Sequence, residues 1–339
     1  MGHYIKHKEN YWKRKVFNNK NSFDLDLLKN SDLGEEKSKQ LFKKYVELVC
    51  LEMSYYCNRA CNYCPVATLE RSDKNLEIPD SILNSVVNSL KEIDYDGRIS
   101  LNLFNEPLAS KNIYRNIVRI STDLPKAILS LNSNGDYIKN IAWLEKLNVS
   151  GLKEILITMH PPRDTDWDRK YCENQFKRFA KKIDYNLKEN ELKNLKFSLF
   201  VGKLYVEVVG TDWGVKGNPR GGEIKNLIPK KNRINPCEKP MREFVISYDG
   251  TIQLCCHIYH NKNYSKQIIA KIGAKKSGSI FKIYTNKALS LSRKNLFDYE
   301  EKKGICQKCN HYETNFRKNE EFFVDEKDKT MRQKILNKI

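Results

Sequence analysis

The chain has 339 residues, 40% of them hydrophobic and 30% charged, with a formal net charge of +19. That length allows one large domain plus a smaller one around a sizeable core. No run of about 18 apolar residues occurs, so no membrane-spanning helix is expected. The opening MGHYIKHKENYWKRK is charged and lacks an apolar stretch, so no secretory signal is expected. The ten cysteines are then expected to stay reduced in a cytoplasmic setting and to bind metal rather than pair.

The positive charge raises a nucleic-acid partner. The basic residues are dispersed, however, and no DNA- or RNA-binding motif occurs, so the charge reads as solvated lysines on helix faces. It would also suit an anionic or phosphorylated substrate.

Residues 1–44 form a polar N-terminal extension, helical around 35-EEKSKQLFKKYVEL-48. VELVCLEMS (46–54) reads as a strand. Residues 79–93 read as a helix, with Pro79 in the first turn and Ile82, Val86, Leu90 and Ile93 on one face. Strands follow at 98–104, 127–133 and 153–160, and helices at 111–121, 137–147 and 166–183. Residues 196–202 and 203–210 read as two further strands. This alternation implies an α/β fold with a parallel sheet covered by helices. Five or six such units predict a partial (β/α)6 TIM-like barrel, with chemistry at the C-terminal strand ends.

From about residue 226 the pattern changes. EFVISYDGTIQLCC (243–256) reads as a hairpin turning at Asp249-Gly250. The division expected is an extension at 1–44, a core domain at 45–225, a small cysteine-rich domain at 226–315 and a charged tail at 316–339.

Just after the first strand stands 57-CNRACNYC-64, with Cys57, Cys61 and Cys64 spaced C-x3-C-x2-C. A four-iron cluster needs thiolates held close together, and a short loop can supply three. The iron left without a protein thiolate is then free to bind something else. Structural zinc wants four ligands, and no fourth Cys or His lies nearby in sequence.

This motif, with the aromatic Tyr63 before its last cysteine and βα alternation after it, resembles the radical S-adenosylmethionine superfamily. The resemblance implies that Cys57, Cys61 and Cys64 hold three irons of a [4Fe–4S] cluster. S-adenosylmethionine would chelate the fourth iron and yield a 5′-deoxyadenosyl radical. At the end of the second strand, 104-FNEPL-108 resembles the family's Gly-Gly-Glu-Pro contact with the cofactor's amino group. Glu106 and Pro107 match, whereas Asn105 replaces a glycine. Ser133, Asn134 and Gly135 after the third strand, and Thr158 at the fourth, resemble positions lining the cofactor's ribose and carboxylate. His160 stays open between an active-site residue and a loop histidine before Pro161-Pro162.

A second set of thiols is Cys237 and Cys255, spaced C-x12-G-x4-C, and Cys306 and Cys309 in CQKC. Four thiols suit a second [4Fe–4S] cluster or zinc, and spacing alone does not choose. The arrangement resembles the SPASM extension in its shorter twitch form, which implies one auxiliary cluster on these four cysteines. The two resemblances together cover about residues 45–315. Cys50, Cys172 and Cys256 are expected to be small buried apolar residues, since Cys256 neighbours Cys255 and points the other way. In 217-GNPRGGE-223, the position of Arg220 resembles a substrate-contacting arginine of twitch-type sugar-alcohol dehydrogenases, which implies a catalytic role in substrate contact or proton handling.

The implied activity is that of a radical S-adenosylmethionine oxidoreductase that dehydrogenates a sugar or cyclitol, with the auxiliary cluster taking an electron. A flavodoxin- or ferredoxin-type protein would be the reductant. Maturation of a ribosomally made peptide is the alternative, and a non-catalytic, metal-stabilised nucleic-acid binder is the reading from another class.

Overall fold

The computed structural model describes residues 24–29, 33–67, 71, 73, 75–162, 165–259, 268–273, 278–311 and 326–339. Most of the expected N-terminal extension and the first part of the tail therefore lie outside the described residues.

Helix α1 (Glu35–Tyr45) precedes strand β1 (Leu48–Leu51). Then come α2 (Asp80–Glu92), β2 (Arg98–Ser100), α3 (Ile113–Asp123), β3 (Ile128–Ser133), α4 (Ile141–Val149) and β4 (Glu154–Thr158). Helix α5 (Arg169–Lys182) leads to β5 (Lys196–Val201) and β6 (Leu204–Val209). The C-terminal part adds β7 (Glu243–Ile246), β8 (Thr251–Gln253) and β9 (Ile268–Lys271). All nine strands make one sheet in the order β5-β6-β4-β3-β2-β1-β7-β8-β9. From β6 to β7 every neighbouring pair is parallel, so the chemistry-bearing strand ends share one face.

The helices form because their apolar residues recur at helical spacing. Leu83, Val86, Val87 and Leu90 of α2 are all buried against the sheet. Helix α1 inserts Phe42, whose ring meets Phe244 and Phe281 edge-on at 5.3 Å each and Tyr284 at 5.2 Å. These contacts lock the N-terminal helix to elements more than 200 residues away.

Two departures from the sequence-based expectation have local causes. The helix expected from residue 137 begins at Ile141, because Gly135 at φ +76° and the Ile138 N–H to Gly135 carbonyl bond (3.2 Å) hold a turn there. The pair β5–β6 is an antiparallel hairpin about Gly202 (φ +60°), so β5 caps the sheet's edge rather than adding a parallel strand. The expected hairpin at Asp249-Gly250 is present, with Gly250 at φ +83°. Because β7 pairs directly with β1, the C-terminal part extends the same sheet.

The helix Glu326–Leu336 packs back on the C-terminal part. Its Arg332 donates to the Phe297 carbonyl at 2.8 Å and pairs with Glu238 at 3.0 Å. No helix among the described residues is long and apolar enough to cross a membrane.

Candidate active site

The loop after β1 carries Cys57, Cys61 and Cys64. Arg59, inside that loop, forks onto Asp136 with N–O distances of 2.7 and 2.6 Å. The same guanidinium donates to the carbonyls of His160 (3.1 Å) and Pro161 (3.3 Å). One side chain thus fastens the cysteine loop to the ends of β3 and β4. The Cys64 N–H closes a turn on the Cys61 carbonyl at 2.9 Å. All three are free thiols lining one cavity of about 270 Å³. Burial pushes the Cys57 thiol up to about 12 and Cys61 up to about 11. Such a set is held protonated until a metal takes it as thiolate.

Glu106 stands at the end of β2 and is buried. Its carboxylate accepts from Ser133 Oγ (2.8 Å), the Asn134 N–H (2.7 Å) and the Leu108 N–H (3.1 Å). An ionised carboxylate has about four acceptor sites, so one is left for a further donor. Burial, only partly offset by these bonds, raises its pKa to about 7. Pro107 starts the 3-10 turn Pro107–Ala109 and fixes the backbone behind the carboxylate without lining the cavity. Asn105 does line it; its amide is spent on the Leu103 N–H (3.1 Å) and Ser54 Oγ (3.2 Å).

Tyr63, Ser133, Asn134, Thr158 and Arg220 line the same cavity. So does His160, which bonds through Nδ1 to the Tyr63 hydroxyl, with the two rings stacked 5.8 Å apart. Burial pushes this histidine down to about 3 and keeps it neutral. The geometry closes the question left open by sequence: His160 belongs to the cavity wall. Asn102, Asn132 and Trp213 also line it and were missed from sequence. Asn102 and Asn132 had a signal, since both sit at the C-terminal end of a parallel strand. Trp213 had none, because it reaches the cavity from a linker.

That linker passes between the two thiol sets. Arg220 has φ +50°, an uncommon left-handed conformation for a residue with a side chain. It donates to the Cys256 carbonyl at 3.4 Å, and its guanidinium lies 5.6 Å from the Phe104 ring. Two residues earlier, Asn218 donates to the Cys309 sulfur at 3.5 Å.

Cys237, Cys255 and Cys306 pack around Leu254, Ile258, Leu289 and Leu296. Burial raises the pKa of Cys237 and Cys306, and the nearby Cys309 adds to both. Among the described residues no group of three or more His, Cys, Asp or Glu is arranged to hold a metal ion. A four-iron cluster sets its thiolates farther apart than one ion does, so the sets are judged by their donors and surroundings. Here four half-buried thiols stand near two buried cations, Arg233 and Lys239, each under 4% exposed, Lys239 being also paired with Glu243. Beside them, the buried Nδ1 of the half-buried His257 lacks a partner among the described residues. Four thiolates on iron need such countercharge and N–H donors, so the residues fit a cluster.

Cys50 and Cys172 are buried in strand and helix, as expected. Cys256 is corrected: its sulfur lies 3.4 Å from Lys239 Nζ, so it is a polar partner of a buried ammonium rather than an apolar filler. It also faces Cys50.

Comparison with known proteins adds to this geometry. Residues 237–310 match the family model of SPASM, an iron–sulfur cluster-binding domain. A curated relative is the S-adenosyl-L-methionine-dependent 2-deoxy-scyllo-inosamine dehydrogenase of Niallia circulans. It is 24% identical over 270 residues, covering 79% of this chain and 94% of the relative. The crystal structure of BtrN in complex with AdoMet and 2-DOIA superimposes with a TM-score of 0.58 at 21% identity, covering 78% of this chain and 93% of that one. A second structure, SeMet BtrN in an open conformation, gives a TM-score of 0.52 at 19% identity over 78% and 92% of the two chains.

Proposed function

We propose that this chain, a radical S-adenosylmethionine enzyme with a C-terminal SPASM domain, dehydrogenates a carbinol carbon of a sugar- or cyclitol-like small molecule. The observation that carries this reading is the linker at 217–220. It lines the radical cavity with Gly217 and Arg220 and touches the second thiol set through Asn218 and Cys309. A substrate held there lies between two redox centres. Bound to the two cysteine sets, a [4Fe–4S] cluster with S-adenosylmethionine would supply a hydrogen-atom acceptor and the auxiliary cluster an acceptor for the second electron, the hydroxyl proton leaving to water.

The chain's own groups do the positioning. Cys57, Cys61 and Cys64 would hold the first cluster, and Cys237, Cys255, Cys306 and Cys309 the second. Glu106 would offer its open acceptor site to the cofactor's ammonium. Asn105, Ser133, Asn134 and Thr158 would form the wall behind the cofactor, with Pro107 supporting Glu106. Tyr63 and His160 would close one side against water. Arg220 would orient the alcohol. A flavodoxin- or ferredoxin-type protein would deliver the first electron.

The curated relative is itself a dehydrogenase, so neither peptide maturation nor nucleic-acid binding is favoured. The test is a polyol deuterated at the carbinol carbon, given to reconstituted enzyme with S-adenosylmethionine and reductant. Dehydrogenation predicts deuterium in 5′-deoxyadenosine together with a ketone product. Label transfer without a ketone would contradict it.

A further inference from the structure

The cavity's polar groups are oriented in a way that selects charge. Asn102 lines the cavity directly after β2. Its Oδ1 accepts the Asn132 N–H at 2.8 Å and the Ser100 hydroxyl at 3.0 Å. A backbone N–H can only donate, so the amide is held one way round and its NH2 is left over. Asn105 and Asn134 are fixed likewise by backbone N–H groups, but their NH2 groups are used on Ser54 and Asn58. Asn105 and Asn134 thus keep one N–H each, whereas Asn102 is the one of these three amides whose whole NH2 makes no bond among the described residues.

Arg220 adds a charged donor. Its Nε is buried without a partner among the described residues, and its one side-chain hydrogen bond goes to a carbonyl. No carboxylate among the described residues pairs with it. Arg59, by contrast, is taken up by Asp136. The lining holds a single carboxylate, Glu106, already carrying three donors. An ammonium group on a substrate would have to compete for the last acceptor site there, where the cofactor's amine is placed.

We propose that the alcohol taken by this cavity carries an anionic group, a carboxylate or a phosphate, which docks on Arg220 with Asn102 donating to its oxygens. This rests on the dehydrogenase reading above and departs from the relative, whose named substrate is an inosamine. A charge-assisted fork on arginine is the ordinary means of holding either anion.

The test uses the reconstituted full chain with S-adenosylmethionine and no reductant. The probes are gluconate, myo-inositol 1-phosphate, neutral myo-inositol and 2-deoxy-scyllo-inosamine, followed by calorimetry. At least one anion should bind about tenfold or more tighter than myo-inositol. That preference should vanish in Arg220→Gln and shrink in Asn102→Asp, with iron content checked in both. A carboxylate-only or phosphate-only response says which anion is meant and supports the proposal either way. Anions binding no tighter than the neutral polyol, or keeping their advantage in Arg220→Gln, would overturn it. With reductant added, 5′-deoxyadenosine formed on the amine and on neither anion would remove the anion and leave dehydrogenation standing. Label transfer from no polyol of any charge would remove both.

Discussion

The carboxylate of Glu106 accepts the backbone N–H of Asn134 at 2.7 Å, joining the C-terminal end of β2 to that of β3. This bond makes Glu106 both a wall of the cavity and a clamp between strands. Replacing it therefore disturbs cofactor binding and stability together. Glu106→Ala leaves three donors unmet in a buried place and should cost about 2–4 kcal/mol, read from urea unfolding of the cluster-free chain. Glu106→Gln should cost less, yet still weaken S-adenosylmethionine binding about tenfold or more, because it removes the charge facing the ammonium.

The same residue gives a pH dependence. Its pKa is raised from 4.5 to about 7 in the folded chain, chiefly by burial. Between those values the folded chain keeps a proton that the unfolded chain releases. Stability is thus fully present below about pH 4.5 and falls as pH rises through about 7, by at most about 3 kcal/mol. Unfolding of the cluster-free chain at about pH 5 and about pH 8 should show the decline, and Glu106→Gln should flatten it. An unchanged slope in the variant would assign the decline to other groups.

The strand order β1 to β4, the cysteine loop and the FNEPL corner were legible in the sequence, because hydrophobic period and strand-end position mark them directly. The antiparallel β5 was not, since a two-residue turn at Gly202-Lys203 reads like any break between strands. Cys256 was misread because its partner, Lys239, lies 17 residues away and is brought to it by the β7–β8 hairpin. Trp213 and the side chain of Arg59 take their places through contacts between distant segments, which no local pattern encodes.

Neighbouring cysteines in the C-terminal part should behave differently. Cys306→Ala should lower iron by about four per chain while S-adenosylmethionine cleavage survives, because the two thiol sets are separate. Cys256→Ala should leave iron content unchanged, since its sulfur serves Lys239. Iron loss in Cys256→Ala equal to that in Cys306→Ala would make Cys256 a ligand after all.

Glu52 and Arg71 form a buried ion pair, N–O 2.7 Å, with the two side chains 0% and 5% exposed. Glu52 also accepts the Phe104 N–H at 3.0 Å, so it supports the cavity floor. Glu52→Ala should destabilise the chain by about 3–5 kcal/mol by stranding a buried guanidinium. The double variant Glu52→Leu with Arg71→Met should recover much of that loss in the same unfolding assay. Additive losses in the double variant would contradict the pairing.

The linker is sensitive too. Gly221 sits at φ +74°, and a Cβ there would meet Ile305 Cδ1 at 2.7 Å. Gly221→Ala should cost about 1–2 kcal/mol through the left-handed backbone. It should also lower turnover more than it lowers S-adenosylmethionine cleavage, because Arg220 moves while the first thiol set does not. An equal loss of both would place the linker outside substrate handling.

The most direct measurement is made on protein purified without oxygen, reconstituted with iron and sulfide, and given S-adenosylmethionine with a strong reductant. Two four-iron clusters, about eight irons per chain, should be found together with release of 5′-deoxyadenosine. About four irons with 5′-deoxyadenosine would contradict the auxiliary cluster alone. Well-loaded protein that releases no 5′-deoxyadenosine would contradict the radical chemistry itself.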